Sequence, residues 1–161
     1  NAKNVNDYLG FDQITAVGGT WMCKGDMIKA GEWDKITALC KEAVRTMLGF
    51  KLAHVGINCA GEEEARRAAK TFSDLFGLEY KEGSSSNFAG AAVECMKAPY
   101  LGEKGHIAIG TNSVDRAMYQ LSRQGVTFDP DTLRRDAKGA ATVVYLKDEI
   151  GGFAIHLVKN K

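Results

Sequence analysis

The sequence has no run of apolar residues near the roughly 20 that a membrane-spanning helix needs. Its first residues, Asn1-Ala2-Lys3-Asn4-Val5, lack the apolar stretch of a secretory signal. Neither sign of charge is in excess: 21 Lys and Arg stand against 20 Asp and Glu, a net charge of +1. No basic cluster with interleaved aromatics occurs. These absences remove the electrostatic case for nucleic acid or an anionic membrane as partner. There is no CxxC pair among Cys23, Cys40, Cys59 and Cys95, which read as reduced thiols of a cytoplasmic protein, mostly small core fillers. Histidine is scarce as well, limited to His54, His106 and His156. The first residue is not Met, so the chain is expected to be processed or cut from something longer.

What is present is enough for a real core. A hydrophobic share of 45% in 161 residues fits roughly one to one and a half domains. Two parts are distinguished, residues 1–48 and 49–161. In the first, Asn4 to Leu9 has the makings of a short helix, and Ile14-Thr15-Ala16-Val17 those of a brief strand running into Gly18-Gly19-Thr20. Helical spacing begins at Asp26 or Gly31. Trp33, Ile36, Thr37, Cys40, Val44 and Met47 then recur at threes and fours, and Gly49 closes the run. Strand, glycine pair, helix is the order that holds a phosphate with backbone N–H groups. The same residues also make a plain tight turn.

Ala16-Val17-Gly18-Gly19-Thr20-Trp21-Met22, followed by Ala30-Gly31-Glu32-Trp33-Asp34-Lys35-Ile36-Thr37, closely resembles the C-terminal end of the keto-hydroxyglutarate / keto-deoxy-phosphogluconate aldolases. The resemblance covers roughly residues 1–45. It implies the last strand and helix of a (β/α)8 barrel, with Gly18, Gly19 and Thr20 in a phosphate- or carboxylate-binding loop. The catalytic Schiff-base lysine of that family and its carboxylate partner lie on earlier strands, which this chain does not contain. A single strand cannot close a barrel. The expectation is therefore a barrel remnant without aldolase activity, the tail of an aldolase fused to the second part of the chain.

From Phe50 onward the chain repeats itself. One strand carries His54, and another carries His106 in Gly105-His106-Ile107-Ala108-Ile109-Gly110. Each is followed by an amphipathic helix. Ala65, Ala68, Ala69, Phe72, Leu75 and Phe76 mark one face of the first, with Glu62, Glu63 and Glu64 in its first turn and Gly77 at its end. Ser113 caps the second; Val114, Ala117, Met118 and Leu121 line it, and Gly125 ends it. Strand-like runs come after each helix: 79–81, 87–89 and 91–97, then 126–128, 141–147 and 153–159. The unit is βαβββ, twice. Asp129-Pro130 to Gly139 reads as a polar connection with a helical turn at Asp131 to Arg135.

Side chains alternate along a strand. His54 opposes Ala53, Val55 and Ile57; His106 opposes Ile107 and Ile109; His156 opposes Phe153, Ile155 and Leu157; Glu94 opposes Val93 and Cys95. With helices over the apolar faces, all four polar groups converge on the other, concave face. A lone strand histidine is most often a hydrogen-bonded structural residue. Three imidazoles and a carboxylate at matching places in two repeats suit a first-row divalent ion, whether Zn, Ni, Co, Mn or Fe, with one or two positions open for water or substrate.

This pattern, over residues 50–159, resembles the vicinal oxygen chelate superfamily, which includes glyoxalase I, methylmalonyl-CoA epimerase and extradiol dioxygenases. The resemblance implies an α+β fold of two βαβββ modules in a cupped mixed sheet. It also implies metal ligands on the first and last strands of each module. His54, Glu94 and His106 match three ligand positions. The fourth is normally Glu, where Gly152-Phe153-Ala154-Ile155-His156-Leu157 supplies His156. In glyoxalase I, metal-site carboxylates move the proton alpha to the carbonyl, and a metal-bound imidazole is a poor replacement. Two readings of function stay open. One is a metal-dependent lyase or isomerase for a small oxo- or hydroxy-acid, with Glu94 as its base. The other is a non-catalytic metabolite-binding or regulatory module attached to the aldolase. Dioxygenase chemistry fits the three-His set less well. Arg134, Arg135 and Lys147 are candidates for a glutathione-type anion site, but a solvated surface fits them better. By analogy of fold, the chain is expected to form a homodimer.

Overall fold

The computed structural model of the chain describes residues 1–11 and 13–160. It falls into two compact units, Asn1–Phe50 and Lys51–Lys161. The first contains α1 (Val5–Leu9), a 3-10 turn (Thr20–Met22), α2 (Gly25–Lys29) and α3 (Trp33–Leu48). α3 follows the apolar spacing read from Trp33 onward. It stops at Gly49, whose φ of 58° is in the left-handed region that glycine enters without penalty. Val5, Met27 and Leu48 are buried where α1 and α2 meet α3, and Asn6 Nδ2 donates to the Thr46 carbonyl at 2.7 Å. Ile14-Thr15-Ala16-Val17, expected as a strand, forms none. A strand of a parallel barrel satisfies its backbone through two neighbours, and no strand lies in this unit among the described residues.

The second unit is an eight-stranded sheet with two helices. Its elements are β1 (Lys51–Asn58), α4 (Glu62–Phe76), β2 (Tyr80–Glu82), β3 (Ser86–Ala89), β4 (Val93–Met96), β5 (Gly105–Thr111), α5 (Val114–Ser122), β6 (Phe128–Arg135), β7 (Ala141–Leu146) and β8 (Phe153–Lys159). The strand order is β2-β3-β4-β1-β5-β8-β7-β6. β1 is parallel to β4 and β5 to β8, and the two modules join where β1 and β5 run antiparallel. The order outward from this junction is the same on both sides, so the sequence repeat becomes a repeat in space.

α4 starts with three glutamates in the turn where the helix dipole favours them. It packs on β2, β3 and β4 through Ala65 and Ala69, which meet Cys59 and Cys95 in a small core. α5 starts at Ser113, whose hydroxyl accepts from the Arg116 N–H at 3.3 Å. It packs on β7 and β8, and Val114, Ala117, Val144 and Leu157 are buried in this half. Each of the valine and leucine side chains taken out of water contributes about 1.5–3 kcal/mol. Cys59 and Cys95 are indeed core thiols, and burial pushes Cys95 up to about 11; Cys23 and Cys40, expected mostly as core fillers, are exposed instead.

Two local details depart from the expectation. Asp131 to Arg135 form part of the edge strand β6, not a helical turn. Pro130 is tolerated there because the outer side of an edge strand needs no N–H donor. The second departure is a bulge in β1: Leu52 pairs with Ile109, but His54 pairs with Ala108. Strict alternation therefore begins at His54, and Ala53 sits in the irregular step. No helix among the described residues is long and apolar enough to cross a membrane.

Candidate metal centre

The register of the central strands places the polar residues. Across one row of the sheet lie His54, Ala108 and His156; across the next lie Glu94, Gly56, His106 and Ala154. Small residues thus alternate with large polar ones on a single face, opposite the faces carrying Val55, Ile57, Ile155 and Leu157. Space for the rings comes from those small residues. A Cβ on Gly56 would lie 2.0 Å from His106 Cε1 and 2.3 Å from its Nε2, so the His106 imidazole rests over the bare backbone of β1.

The four residues expected as ligands are brought together within one chain. His54 Nε2 lies 3.1 Å from Glu94 Oε2, His106 Nε2 lies 3.2 Å from the same oxygen, and the two nitrogens are 3.2 Å apart. One nitrogen of each histidine lies within 4.8 Å of the others. The His156 ring is 5.4 Å from the His54 ring and 5.1 Å from the His106 ring, centre to centre. His106 and His156 are buried, and the His54 side chain is the most open of the group at 19%.

The electrostatics follow from this geometry. Burial alone would raise the Glu94 carboxyl, but hydrogen bonds from His106, His54 and Ser86 outweigh it and hold it well below the usual carboxylate range. Ser86 Oγ donates to Glu94 Oε1 at 2.5 Å, so only Oε2 faces the imidazoles. His156 is pushed down from 6.5 to about 4, first by burial and then by His106 and His54. It is neutral near pH 7. Neither of its ring nitrogens has a well-formed hydrogen-bond partner among the described residues, and His106 Nδ1 lacks one too.

The residues fit a metal ion on these observations. Three electron-rich atoms face one another at 3.1–3.2 Å and need a proton or a cation between them. Donors bonded at about 2.0–2.1 Å in a tetrahedron are about 3.3 Å apart. Buried imidazole nitrogens without partners are costly unless something fills their lone pairs.

Several contributors went unread in the sequence. Gly56, Ser86 and Tyr145 carry no motif of their own; their roles arise only from cross-strand register. Tyr145 is paired with His156 across β7 and β8 and stacks on it at 4.6 Å with planes 16° apart. Phe88, beside Glu94 in the β3–β4 register, meets His54 edge-on at 6.3 Å. Two of the three anion candidates are otherwise engaged. Arg134 donates to the carbonyls of Asp131 and Leu133, and Arg135 to Asp115 and the Gly139 carbonyl. Lys147 is exposed. In the Gly18-Gly19-Thr20 stretch, Gly19 is approached closely by the indole of Trp21 in its own turn.

No family model matches the chain. Among curated proteins, 2-dehydro-3-deoxy-phosphogluconate aldolase of Dickeya dadantii (strain 3937) is 45% identical over 42 residues, 26% of this chain and 20% of that protein. KHG/KDPG aldolase of Escherichia coli (strain K12) is 42% identical over 41 residues, 26% of this chain and 19% of that protein. The chain thus spans about a fifth of the length of the curated relatives it matches. Among solved structures, a hypothetical protein from Bacillus halodurans C-125 superposes with a TM-score of 0.50 at 20% identity, over 70% of this chain and 95% of that one. Methylmalonyl-CoA epimerase from Mycobacterium tuberculosis superposes with a TM-score of 0.49 at 20% identity, over 71% and 90%. The eight-stranded sheet of paired βαβββ modules is a glyoxalase-like fold that the Bacillus halodurans protein shares, and the N-terminal segment is similar to a short part of the aldolases.

Proposed function

We propose that residues 51–161 form a divalent-metal domain for a small oxo- or hydroxy-acid. The observation that carries this is the triangle of His54 Nε2, His106 Nε2 and Glu94 Oε2, closed at 3.1–3.2 Å, with a His156 nitrogen within 4.8 Å of those of the other two histidines. His54, Glu94 and His106 would hold the ion, with His156 as a fourth donor. Three neutral imidazoles and one carboxylate suit Zn, Co, Ni, Mn or Fe. A bound ion supplies Lewis acidity toward the oxygens of such a ligand. The chain itself contributes one fixed negative charge at Glu94 Oε2, an imidazole seated over Gly56, and a Ser86 hydroxyl that keeps the second carboxylate oxygen turned away.

Two outcomes are open to this site. In the lyase or isomerase reading, Glu94 takes the proton alpha to a carbonyl. A histidine at position 156, where the resemblance implies a second carboxylate, leaves the site one base short and favours the second reading, a metabolite-binding or regulatory module. On either reading, the N-terminal segment is a stretch similar to part of an aldolase, placed ahead of the metal domain.

Metal analysis after dialysis against each candidate ion is the test. The expected result is one ion per chain, lost when His54, His106 and His156 are all changed to Ala. Equal trace metal in both proteins removes the proposal. The loaded protein, offered small 2-oxo acids in deuterated water and separately methylglyoxal with glutathione, then divides the two readings. Exchange or turnover supports the enzyme. Calorimetric binding of the acid with neither supports the module.

A further inference from the structure

His156 is the unusual member of the cluster. A metal-bound histidine almost always donates its second ring N–H to a carboxylate, carbonyl or water, which fixes the ring's orientation. His156 is 6% exposed, and neither nitrogen makes a well-formed hydrogen bond among the described residues. It has one close planar neighbour, the phenol ring of Tyr145, at 4.6 Å and 16°.

Tyr145 is itself anchored. Its backbone N–H donates to Thr132 Oγ1 at 2.9 Å, and that hydroxyl donates to the Asp129 carbonyl at 2.7 Å. The Tyr100 ring meets Tyr145 edge-on at 5.9 Å. The backbone around Tyr100 is in turn tied to the sheet by Asn58, which accepts from the Tyr100 N–H and donates to the carbonyls of Tyr100 and Gly102. Contacts thus run from the edge strand β6 and from the end of the central strand β1 to Tyr145, which stacks on His156.

From this we infer that Tyr145 is the positioning residue for His156. Its ring face, more than the single backbone contact at Leu157, holds the imidazole with one nitrogen within 4.8 Å of nitrogens of His54 and His106. The inference rests on the metal reading. It adds that the fourth donor depends on an aromatic surface, and that only a flat ring at position 145 serves. The phenol oxygen has no part in this role, so removing it is harmless and removing the ring is not.

Cobalt(II) titrated into the full chain, followed by its ligand-field absorbance and by competition with a chelator, tests this. Tyr145→Phe is expected to bind as the wild type does. Tyr145→Leu, which keeps apolar bulk without the ring face, is expected to weaken binding about 10–100-fold and to alter the absorbance of the site. Tyr145→Trp should recover most of the loss. In a His156→Ala background, Tyr145→Leu should add no further deficit, because the two act as one unit. Circular dichroism of each variant establishes that it is folded, and the Phe and Trp variants carry the argument if the Leu variant is not. A Phe variant as weak as a Leu variant, or a Leu deficit that persists without His156, overturns the role of Tyr145 alone. A wild type that binds no cobalt overturns the metal reading and this role together.

Discussion

A Cβ at Gly56 would lie 2.0–2.4 Å from three atoms of the His106 ring, far inside van der Waals contact, so Gly56→Ala must move the imidazole or the strand. The expected result is at least a tenfold loss of metal affinity, about the scale of removing an orienting partner, with a stability cost of about 1–3 kcal/mol for overpacking. Cobalt titration and urea unfolding measure the two; unchanged affinity contradicts the seat assigned to His106. His106→Ala acts from the other side of the same contact. It should abolish stoichiometric metal and bring the melting temperature of the loaded protein down to that of the metal-free form, since bound ion stabilises only the native state. The strand's apolar side is untouched, so the fold should persist, and a variant that melts like loaded wild type would count against the site. His156 gives a pH signature in metal-free protein. Its folded value, about 4, lies below its ordinary 6.5, so the unfolded chain binds the proton more readily. Its contribution is full above pH 6.5 and is lost as pH falls toward 4, roughly 3 kcal/mol in all at about 1.4 kcal/mol per tenfold. Chemical unfolding of the chelator-treated protein across that window should show the decline, and His156→Leu should flatten it.

Among the elements, those whose own sequence carries a period were legible. β8 occupies Phe153–Lys159, the span read from its alternation, and α4 and α5 fall where their apolar faces and glycine stops put them. β6 was not legible, because Asp129-Pro130-Asp131 breaks the local pattern and only its place at the sheet edge makes a proline harmless there. Ile14 to Val17 failed in the opposite sense: the residues suit a strand, but a strand also needs partners. The same division runs through the site. Three histidines and Glu94 stand out by facing away from apolar neighbours, whereas Gly56, Ser86 and Tyr145 are ordinary residues made important by strands far away in sequence. Ser86 lies on β3 and Glu94 on β4, and their 2.5 Å bond fixes which carboxylate oxygen meets the imidazoles. Ser86→Ala should free Oε1 and let Glu94 rise toward the ordinary carboxylate range. Carbon-13 NMR of the Glu94 carboxyl across acid pH measures this, and an unmoved titration means that the two histidines alone set its acidity.

At the scale of the molecule, the repeat decides how many chains make a site. The first module supplies His54 and Glu94, the second His106 and His156, and the antiparallel junction of β1 with β5 joins the two halves within one polypeptide. The cluster needs no donor from a second copy. A homodimer, which the resemblance in fold implies, would therefore hold two complete sites rather than two shared ones. The expected stoichiometry is one ion per chain at every protein concentration. Sedimentation velocity with absorbance of bound cobalt makes the measurement directly: on dilution, any dimer should dissociate into monomers that keep their cobalt signal. Metal released in step with dimer dissociation, or a limit of one ion per two chains, would require ligands from both copies and would mean that the arrangement of His54, Glu94, His106 and His156 within one chain is not the one that binds the ion.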